Sequence, residues 1–394
     1  MAFKEMNMFY RIFHMFGVWY AQPTDLYGTL SFIGQVFRHF LFILSWSAEV
    51  VSVYLEGFRR SMNGSAFFLI ISFVTVFEIV MIFLKRKEIH CIMNMLEMSA
   101  NNRSGWEKQY FDQRTVFVKK VVKTYQTTMI VIGLLLYLVF PMVNELLELY
   151  GVQPMNVALP FSELSIEGPY KKILEKLRTF WGIIWCLHGI TFFSCVHSLF
   201  FTFTLYTAAE IDLVCEKIRR LSYIDDVEYY KVDKANKNGI SLLEIIVHHQ
   251  FVLKLSKKLI NLFGLIFALE NTIAAVSLCL NLITVRFEIM NSKPGVVIIS
   301  VVSMFSNVIQ QTTVYYFGNY LTERCNVIYE RLYELPWYRL PPSVRKTISI
   351  MSRQASMPTV INYRGLARIT LENYAQLMNA AYSYFTVMSS LLDE

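Results

Sequence analysis

Five hydrogen-bonding side chains near the end of the chain recur at helical spacing. Their intervals of 3, 4, 3 and 4 residues place them on one face of a helix. No Asp, Glu, Lys, Arg or His stands between Glu372 and Asp393, and uncharged polar groups can replace an ion's hydration shell without holding the ion tightly. The pattern fits a helix that lines a pore, but such groups also join helices in membranes, and both interpretations stay open. The five residues are Gln376, Asn379, Ser383, Thr386 and Ser390.

Large apolar and aromatic side chains are distributed over the other apolar segments. We expect some of them to wall an apolar pocket in or near the outer half of a membrane. Each is also compatible with packing or with contact to lipid. The candidates are Phe73, Phe77, Tyr137, Met142, Ile184, His188, Phe192, Met304, Phe305 and Val308. Charged or titratable residues inside these segments, such as Glu78, His197 and Glu270, should face the bundle interior, a cavity or a partner.

Signatures of catalysis, metal binding and nucleotide binding are missing from the sequence. The six cysteines form no close pair, and the zincin, Walker, dinucleotide-fingerprint and nucleophile-elbow patterns do not occur. The pair His248-His249 has no neighbouring ligand residues, so we expect it on a solvated helix face. The sequence therefore predicts neither an enzyme nor a bound cofactor or metal. The net charge of +7 is explained by the basic loops described below and does not indicate a nucleic-acid partner.

The elements that must position these residues are apolar runs long enough to cross a bilayer. Hydrophobic residues make up 55% of the chain and charged residues only 17%, whereas soluble domains hold about a quarter charged residues. A run of about 18 apolar residues indicates a spanning helix. We predict an all-α protein with seven spans near residues 30–55, 66–84, 127–149, 179–206, 259–285, 296–321 and 369–392.

The distribution of Lys and Arg predicts the orientation. The N-terminal segment and the joins after the second, fourth and sixth spans hold 28 of these residues, and the joins on the other side hold 8. Because basic residues accumulate on the cytosolic side, we expect a cytosolic N-terminus and an extracellular C-terminus. This polarity is opposite to that of G-protein-coupled receptors.

The segments on the cytosolic side are expected to be helical. Pro341 and Pro342 can open a helix, and the periodicity of the fourth to sixth spans continues beyond the bilayer. We predict a cytosolic helical bundle from about 207–258 and 322–365, followed by a final helix at about 366–392. The whole chain, 1–394, is treated as one domain.

The run YERLYELPWYRLPPSVRKTISIMSRQASMP, followed by AYSYFTVM, resembles the C-terminal signature of insect odorant receptors. The inverted seven-span layout agrees with that family along the whole chain, although the rest matches only in topology and spacing. The related insect gustatory receptors usually have a TY and then a QF in the last span. This chain has Ser383-Tyr384 and Ser389-Ser390 there, which favours the odorant branch.

The resemblance implies a subunit of a tetrameric, ligand-gated, non-selective cation channel in the plasma membrane of olfactory sensory neuron dendrites. It implies that the last span lines the pore, that the cytosolic bundle is an anchor domain, and that a small, volatile, apolar odorant binds among the second to sixth spans. The family's hydrophobic gate corresponds to Val387 and Leu391. On an ideal helix these two residues lie roughly 60° and 100° from the centre of the polar stripe, so the two assignments do not coincide fully.

The resemblance also implies which partner subunit the chain has. The sequence has no counterpart of the long segment that the family's shared co-receptor carries between its fourth and fifth spans. It therefore resembles a ligand-specific tuning subunit, which forms a heterotetramer with the co-receptor among membrane lipids. A homomeric gustatory-type channel is the nearest alternative. A secondary transporter is more distant, because neither inverted repeats nor a charged substrate site is visible.

Overall fold

The computed structural model describes residues 26–56, 65–103, 105–150, 169–222, 241–290, 294–357, 359–365 and 367–393. Within these ranges the regular elements are helices, which confirms the all-α prediction. The helices are α1 (Leu26–Glu56), α2 (Ser65–Leu84), α3 (Arg86–Asn101), α4 (Gly105–Leu134), α5 (Phe140–Leu149), α6 (Lys171–Ser222), α7 (Leu242–Met290), α8 (Pro294–Tyr333), α9 (Pro342–Ala355) and α10 (Leu371–Asp393).

The first, second and last predicted spans coincide with α1, α2 and α10 to within four residues, and the fourth to sixth lie inside the longer helices α6, α7 and α8. By length and apolar composition alone, three stretches of the described residues qualify to cross a membrane, namely Gly105–Val143, Lys171–Leu221 and Leu242–Phe287. Ser72–Leu84 is a shorter apolar helix. The third predicted span, 127–149, is divided between α4 and α5.

Helices α6, α7 and α8 are much longer than a bilayer requires. They contain 52, 49 and 40 residues. At 1.5 Å per residue α6 is about 78 Å long, against about 30 Å of hydrocarbon, so its ends extend beyond the predicted span 179–206. The prediction that the fourth to sixth spans continue as helices is therefore confirmed. We refer to the end of the bundle that contains the C-terminus of α6 as the basic end.

Helix α6 forms the axis of the core. It packs against α2, α4, α7 and α8, and its aromatic residues Phe200, Phe201 and Phe203 are fully buried. Phe200 makes edge contacts with Phe263 and Phe267 of α7, at centroid distances of 5.2 and 4.6 Å. Such edge-to-face pairs stabilise the core beyond their burial. A dense aromatic layer therefore closes the bundle below the cavity described next.

A π-helical turn, Leu135–Val139, separates α4 from α5. Pro141 has no N–H to donate to the carbonyl of Tyr137, four residues earlier, and this missing bond accounts for the interruption. Leu136 and Tyr137 of the turn both line the cavity.

Candidate functional site

A cavity of about 140 Å³ lies among α1, α2, α4, α6, α7 and α8. One wall is aromatic: the rings of Phe42 and Trp185 stack with centroids 5.0 Å apart, and the Trp185 indole donates a hydrogen bond to the Phe42 carbonyl at 3.2 Å. The remaining wall carries polar side chains, and an apolar cavity with a few converging polar groups is typical of small-molecule sites. The polar lining residues are Ser72, Thr75, Glu270, Ser277, Ser303, Ser306, Asn307, Gln310 and Gln311.

The cavity ends, toward the basic end, at a buried cluster of Glu78, His197 and Glu270. The Nε2 atom of His197 is 3.0 Å from Oε2 of Glu270 and 3.1 Å from Nε2 of Gln310. Its Nδ1 atom is 2.9 Å from the Phe193 carbonyl, which can only accept, so we assign the Nδ1 proton to that bond. The side chains of Glu78 and His197 are fully buried and that of Glu270 is 3% exposed. The expectation that these three residues face the interior is confirmed.

The same cluster has the ligand set of a cation site. One oxygen from each carboxyl and one ring nitrogen of His197 lie within 4.8 Å of one another. Carboxylate oxygen and imidazole nitrogen suit a divalent ion such as Zn²⁺, and a metal-bound histidine commonly donates its other N–H to a carbonyl, as His197 does to Phe193.

The polar stripe of α10 faces away from its own chain. Leu377 and Ala381 on the opposite side are buried, while all five stripe residues are exposed. The hydroxyls of Ser383, Thr386 and Ser390 donate to carbonyls of their own helix at 2.8–2.9 Å, which satisfies their donors. The Val387 side chain is 58% exposed. Leu391 belongs to α10, but its side chain is outside the described part of the structure.

Comparisons with known proteins identify the family. The profile of the 7tm odorant receptor family matches residues 60–382. The chain belongs to this family. Odorant receptor 10 of Aedes albopictus is 26% identical to the receptor over 154 residues, and odorant receptor Or2 of Anopheles gambiae is 23% identical over 235 residues. These alignments cover 39% and 60% of this chain and 40% and 60% of the relatives, less than two thirds of either relative.

Solved structures agree with this assignment. The receptor is similar to olfactory receptor OR5 from Machilis hrabei in complex with eugenol, with a TM-score of 0.76, 12% identity and 98% of both chains covered. The structure of OR5 described without eugenol gives a TM-score of 0.70 at 12% identity, over 98% of this chain and 97% of the other. The predicted seven-transmembrane helical fold is thereby confirmed.

The predicted pocket residues of the receptor occupy several environments. Tyr137 lines the cavity, and Phe192 and His188 pack against His39 between α1 and α6, at centroid distances of 4.9 and 5.5 Å. The others do not line the cavity in the described part of the chain. Phe73, Met142, Ile184 and Phe305 are exposed on the surface of the single chain, and Phe77, Met304 and Val308 are half-buried.

Sequence reasoning overlooked the small polar residues of the cavity because it searched for aromatic ones. Thr75 stands between the two candidates on α2, and Ser303 directly precedes a candidate on α8. The sequence does hold a signal for this wall. Ser303, Asn307 and Gln310 are spaced by 4 and 3 residues, so α8 has a polar stripe of its own, in addition to the stripe of α10.

A cluster of charges lies buried near the basic end. Glu210 of α6 accepts from the guanidinium of Arg103 and from Nε2 of His248, the latter at 2.9 Å. The expectation that His248-His249 lies on a solvated face was wrong, because α7 packs against α6 here and His249 is 4% exposed. Glu210 lies beyond the predicted span. Burial alone would raise its pKa, but the hydrogen bond from His248 and the charge of Arg103 hold the pKa below its ordinary value.

Proposed function

We propose that this chain is the odorant-binding subunit of a heteromeric, ligand-gated, non-selective cation channel that opens when a small volatile molecule enters the cavity. The observation that carries the proposal is the exposed polar stripe of α10. The hydroxyls of the stripe bond to their own helix, but the exposed amides of Gln376 and Asn379 favour water or another subunit on this face, because lipid cannot satisfy polar groups.

The pore is proposed to form where the α10 helices of several subunits meet. The stripe residues Gln376 to Ser390 would then face the ion path, and uncharged oxygen and amide groups would replace part of the ion's hydration. Val387 and Leu391 are the proposed hydrophobic gate. The exposure of Val387 supports this role, since a gate residue must reach beyond its own subunit.

A chain of contacts connects the cavity with α10. Asn271, next to the cavity residue Glu270, accepts a hydrogen bond from the Tyr315 hydroxyl. The Tyr315 ring lies 5.3 Å from that of Tyr374 on α10, and the Tyr374 hydroxyl is 2.7 Å from that of Thr312 on α8. A ligand that changes the packing of α7 against α8 would therefore also move the base of α10.

Gating follows from the difference in ligand affinity between two arrangements of these helices. A ligand shifts such an equilibrium only by the free-energy difference between its binding to the open and to the closed form. For a small, largely apolar odorant, micromolar affinity of roughly 8 kcal/mol is sufficient.

The partner and the membrane setting are part of the proposal. We infer that the basic ends of α6, α7 and α8, together with α9, form a cytosolic anchor domain that holds four subunits together, with the N-terminus in the cytosol. The receptor would assemble with the family's co-receptor in the plasma membrane of olfactory neuron dendrites. The family resemblance and the basic residues of these segments support this arrangement.

The experiment that tests the proposal compares whole-cell currents during exposure to a panel of volatile compounds. The chain is expressed alone and together with an insect odorant receptor co-receptor, with G-protein signalling blocked and surface expression measured by labelling. We expect odorant-evoked cation current only in the co-expressing cells.

Two other outcomes would contradict the proposal. Current from the chain alone would establish a self-sufficient homomeric channel. Silence in both conditions, despite surface labelling, would remove the channel assignment and favour the transporter.

A further inference from the structure

The floor of the cavity is polar, whereas its outer wall is aromatic. Along α7 the lining residues run from Ser277 to Glu270, which at 1.5 Å per residue places Glu270 about 10 Å deeper than Ser277. Gln310 of α8 lies at the same depth, because it contacts the same histidine, His197. The cavity therefore presents a carboxyl group at its deep end, and Phe42 and Trp185 form an aromatic wall farther out.

The carboxyl of Glu270, a residue that lines this end of the cavity, has one oxygen without a hydrogen-bond donor among the described residues. Its Oε1 atom is buried and has no hydrogen-bond partner among the described residues, while Oε2 is 3.0 Å from His197. If Glu270 is ionised, a hydrogen bond accepted by Oε2 requires a proton on Nε2 of His197 in addition to the one assigned to Nδ1. If Glu270 is protonated, the proton lies on Oε2 and is directed at His197. Oε1 is an acceptor in both states.

The neighbouring side chains do not remove this requirement. Neither carboxyl oxygen of Glu78 has a donor among the described residues. If Glu78 is protonated, its carboxyl can donate one hydrogen bond to Glu270 and no more. A carboxyl oxygen has two lone pairs, so acceptor capacity remains after such a bond. Asn307 also has an unpartnered oxygen in the cavity, but its amide can be turned over, so the argument rests on Glu270.

An acceptor buried without a donor is costly, and a ligand that supplies the donor recovers that cost. We propose that the ligand of this cavity carries a hydrogen-bond-donor head group, a hydroxyl or an amine, that donates to Oε1 of Glu270. Its apolar body lies against Phe42, Tyr137 and Trp185. This inference rests on the proposed function and narrows its ligand from any small volatile molecule to amphipathic ones.

The two head groups make different demands on Glu270. An ammonium group requires the ionised carboxylate, since a neutral acceptor leaves its charge uncompensated in a low-dielectric site. A hydroxyl can donate to either form. Replacing Glu270 by Gln, which keeps an acceptor oxygen of similar position and removes the charge, therefore separates the two cases.

The test uses matched ligands on cells that express the receptor together with the co-receptor. The probes are eugenol and methyleugenol, whose only difference is methylation of the phenol, and the set octanol, octylamine and octyl methyl ether. Each is applied to the unsubstituted receptor, to Glu270→Gln and to the control Glu175→Gln. The control removes a carboxylate from an exposed pair with Lys171 on α6, outside the cavity.

We expect the hydroxyl or amine member of a set to act at roughly tenfold lower concentration than its methyl-capped partner, as one charge-assisted hydrogen bond predicts. In Glu270→Gln the advantage of octylamine should be lost and that of a hydroxyl largely kept, because the Gln amide still offers an acceptor oxygen, while Glu175→Gln should behave as the unsubstituted receptor. Equal potency of capped and uncapped probes would overturn the inference, as would an unchanged octylamine advantage in Glu270→Gln. Silence to every probe, with both chains labelled at the surface, would instead count against the proposed function and remove this inference with it.

Discussion

At the scale of single residues, the buried charges of the basic end affect the free energy of unfolding. The Arg103 guanidinium is 4% exposed and lies 3.7 Å above the Phe111 ring, and Glu210 is fully buried. Removing two charges from water is costly, and the cost is recovered only while both partners remain. The low pKa of Glu210 means that the carboxylate stays ionised and keeps neutralising Arg103.

Replacing Glu210 by Gln should destabilise the folded receptor by about 3 kcal/mol, because Arg103 then keeps its charge in a buried site without a counter-charge. Thermal unfolding of the detergent-purified protein measures the effect as a lower midpoint. The matched control is Glu216→Gln on the same helix. Glu216 binds Arg219 and Arg220 at the surface, with 23% of its side chain exposed, and should contribute less than about 1 kcal/mol. Equal losses in the two variants would show that Arg103 finds another partner or water.

At the scale of elements, two glycines allow the chain before α10 to lie against α7 and α8. A Cβ atom at Gly264 would be 2.5 Å from the Asn362 carbonyl oxygen, and one at Gly318 would be 2.4 Å from a methyl carbon of Ile369. Residues 359–365 and 367–370 are held further by the bond from the Ile369 amide to the Ile361 carbonyl, at 2.9 Å. This segment sets the position at which α10 begins.

Gly264→Ala should displace this segment, because the new methyl group meets backbone and not a movable side chain. Overpacking of this kind costs about 1–3 kcal/mol, more than alanine gains in helix propensity. We expect reduced odorant-evoked current at equal surface expression, recorded with the co-receptor. The control is Gly34→Ala in α1, where a Cβ atom meets nothing within 4 Å and current should be preserved. A normal response in Gly264→Ala would contradict a fixed position of this segment.

The elements were largely predictable from the sequence, but their rotation was not. Apolar runs fix the positions of the helices because length and hydropathy are local properties. Helix α2, Ser65–Leu84, is apolar on nearly every side, so its periodicity cannot show that Thr75 rather than Phe73 lines the cavity. The cluster of Glu78, His197 and Glu270 joins three helices, and only their packing reveals it. Helix α10, by contrast, has one polar face and one apolar face, so the sequence could predict that the polar stripe faces away from the chain's own core.

At the scale of the whole molecule, the single chain exposes two different surfaces. Large apolar side chains of α1, among them Leu30, Phe37 and Phe40, are more than half exposed, as lipid-facing residues are. Helix α10 instead exposes a polar stripe beside Val387. The two surfaces therefore require different surroundings, and the ion path proposed for α10 exists only where subunits meet.

Accessibility of α10 to a water-soluble reagent tests this arrangement directly. Gln376 is exposed, whereas the adjacent Leu377 is 7% exposed and packs against its own chain. We expect a charged thiol reagent, applied with agonist to the assembled channel, to reduce the current of Gln376→Cys and to leave that of Leu377→Cys unchanged, because only the former side chain borders the ion path. The unsubstituted receptor is the background control, since five of its six cysteines are buried. Protection of both positions would contradict this arrangement and indicate that this face of α10 meets lipid or another subunit.

The rate of modification also tests the proposed gate. If Val387 closes the pore, the reagent should modify Gln376→Cys faster with agonist than without it, because the closed gate then lies between the reagent and this residue.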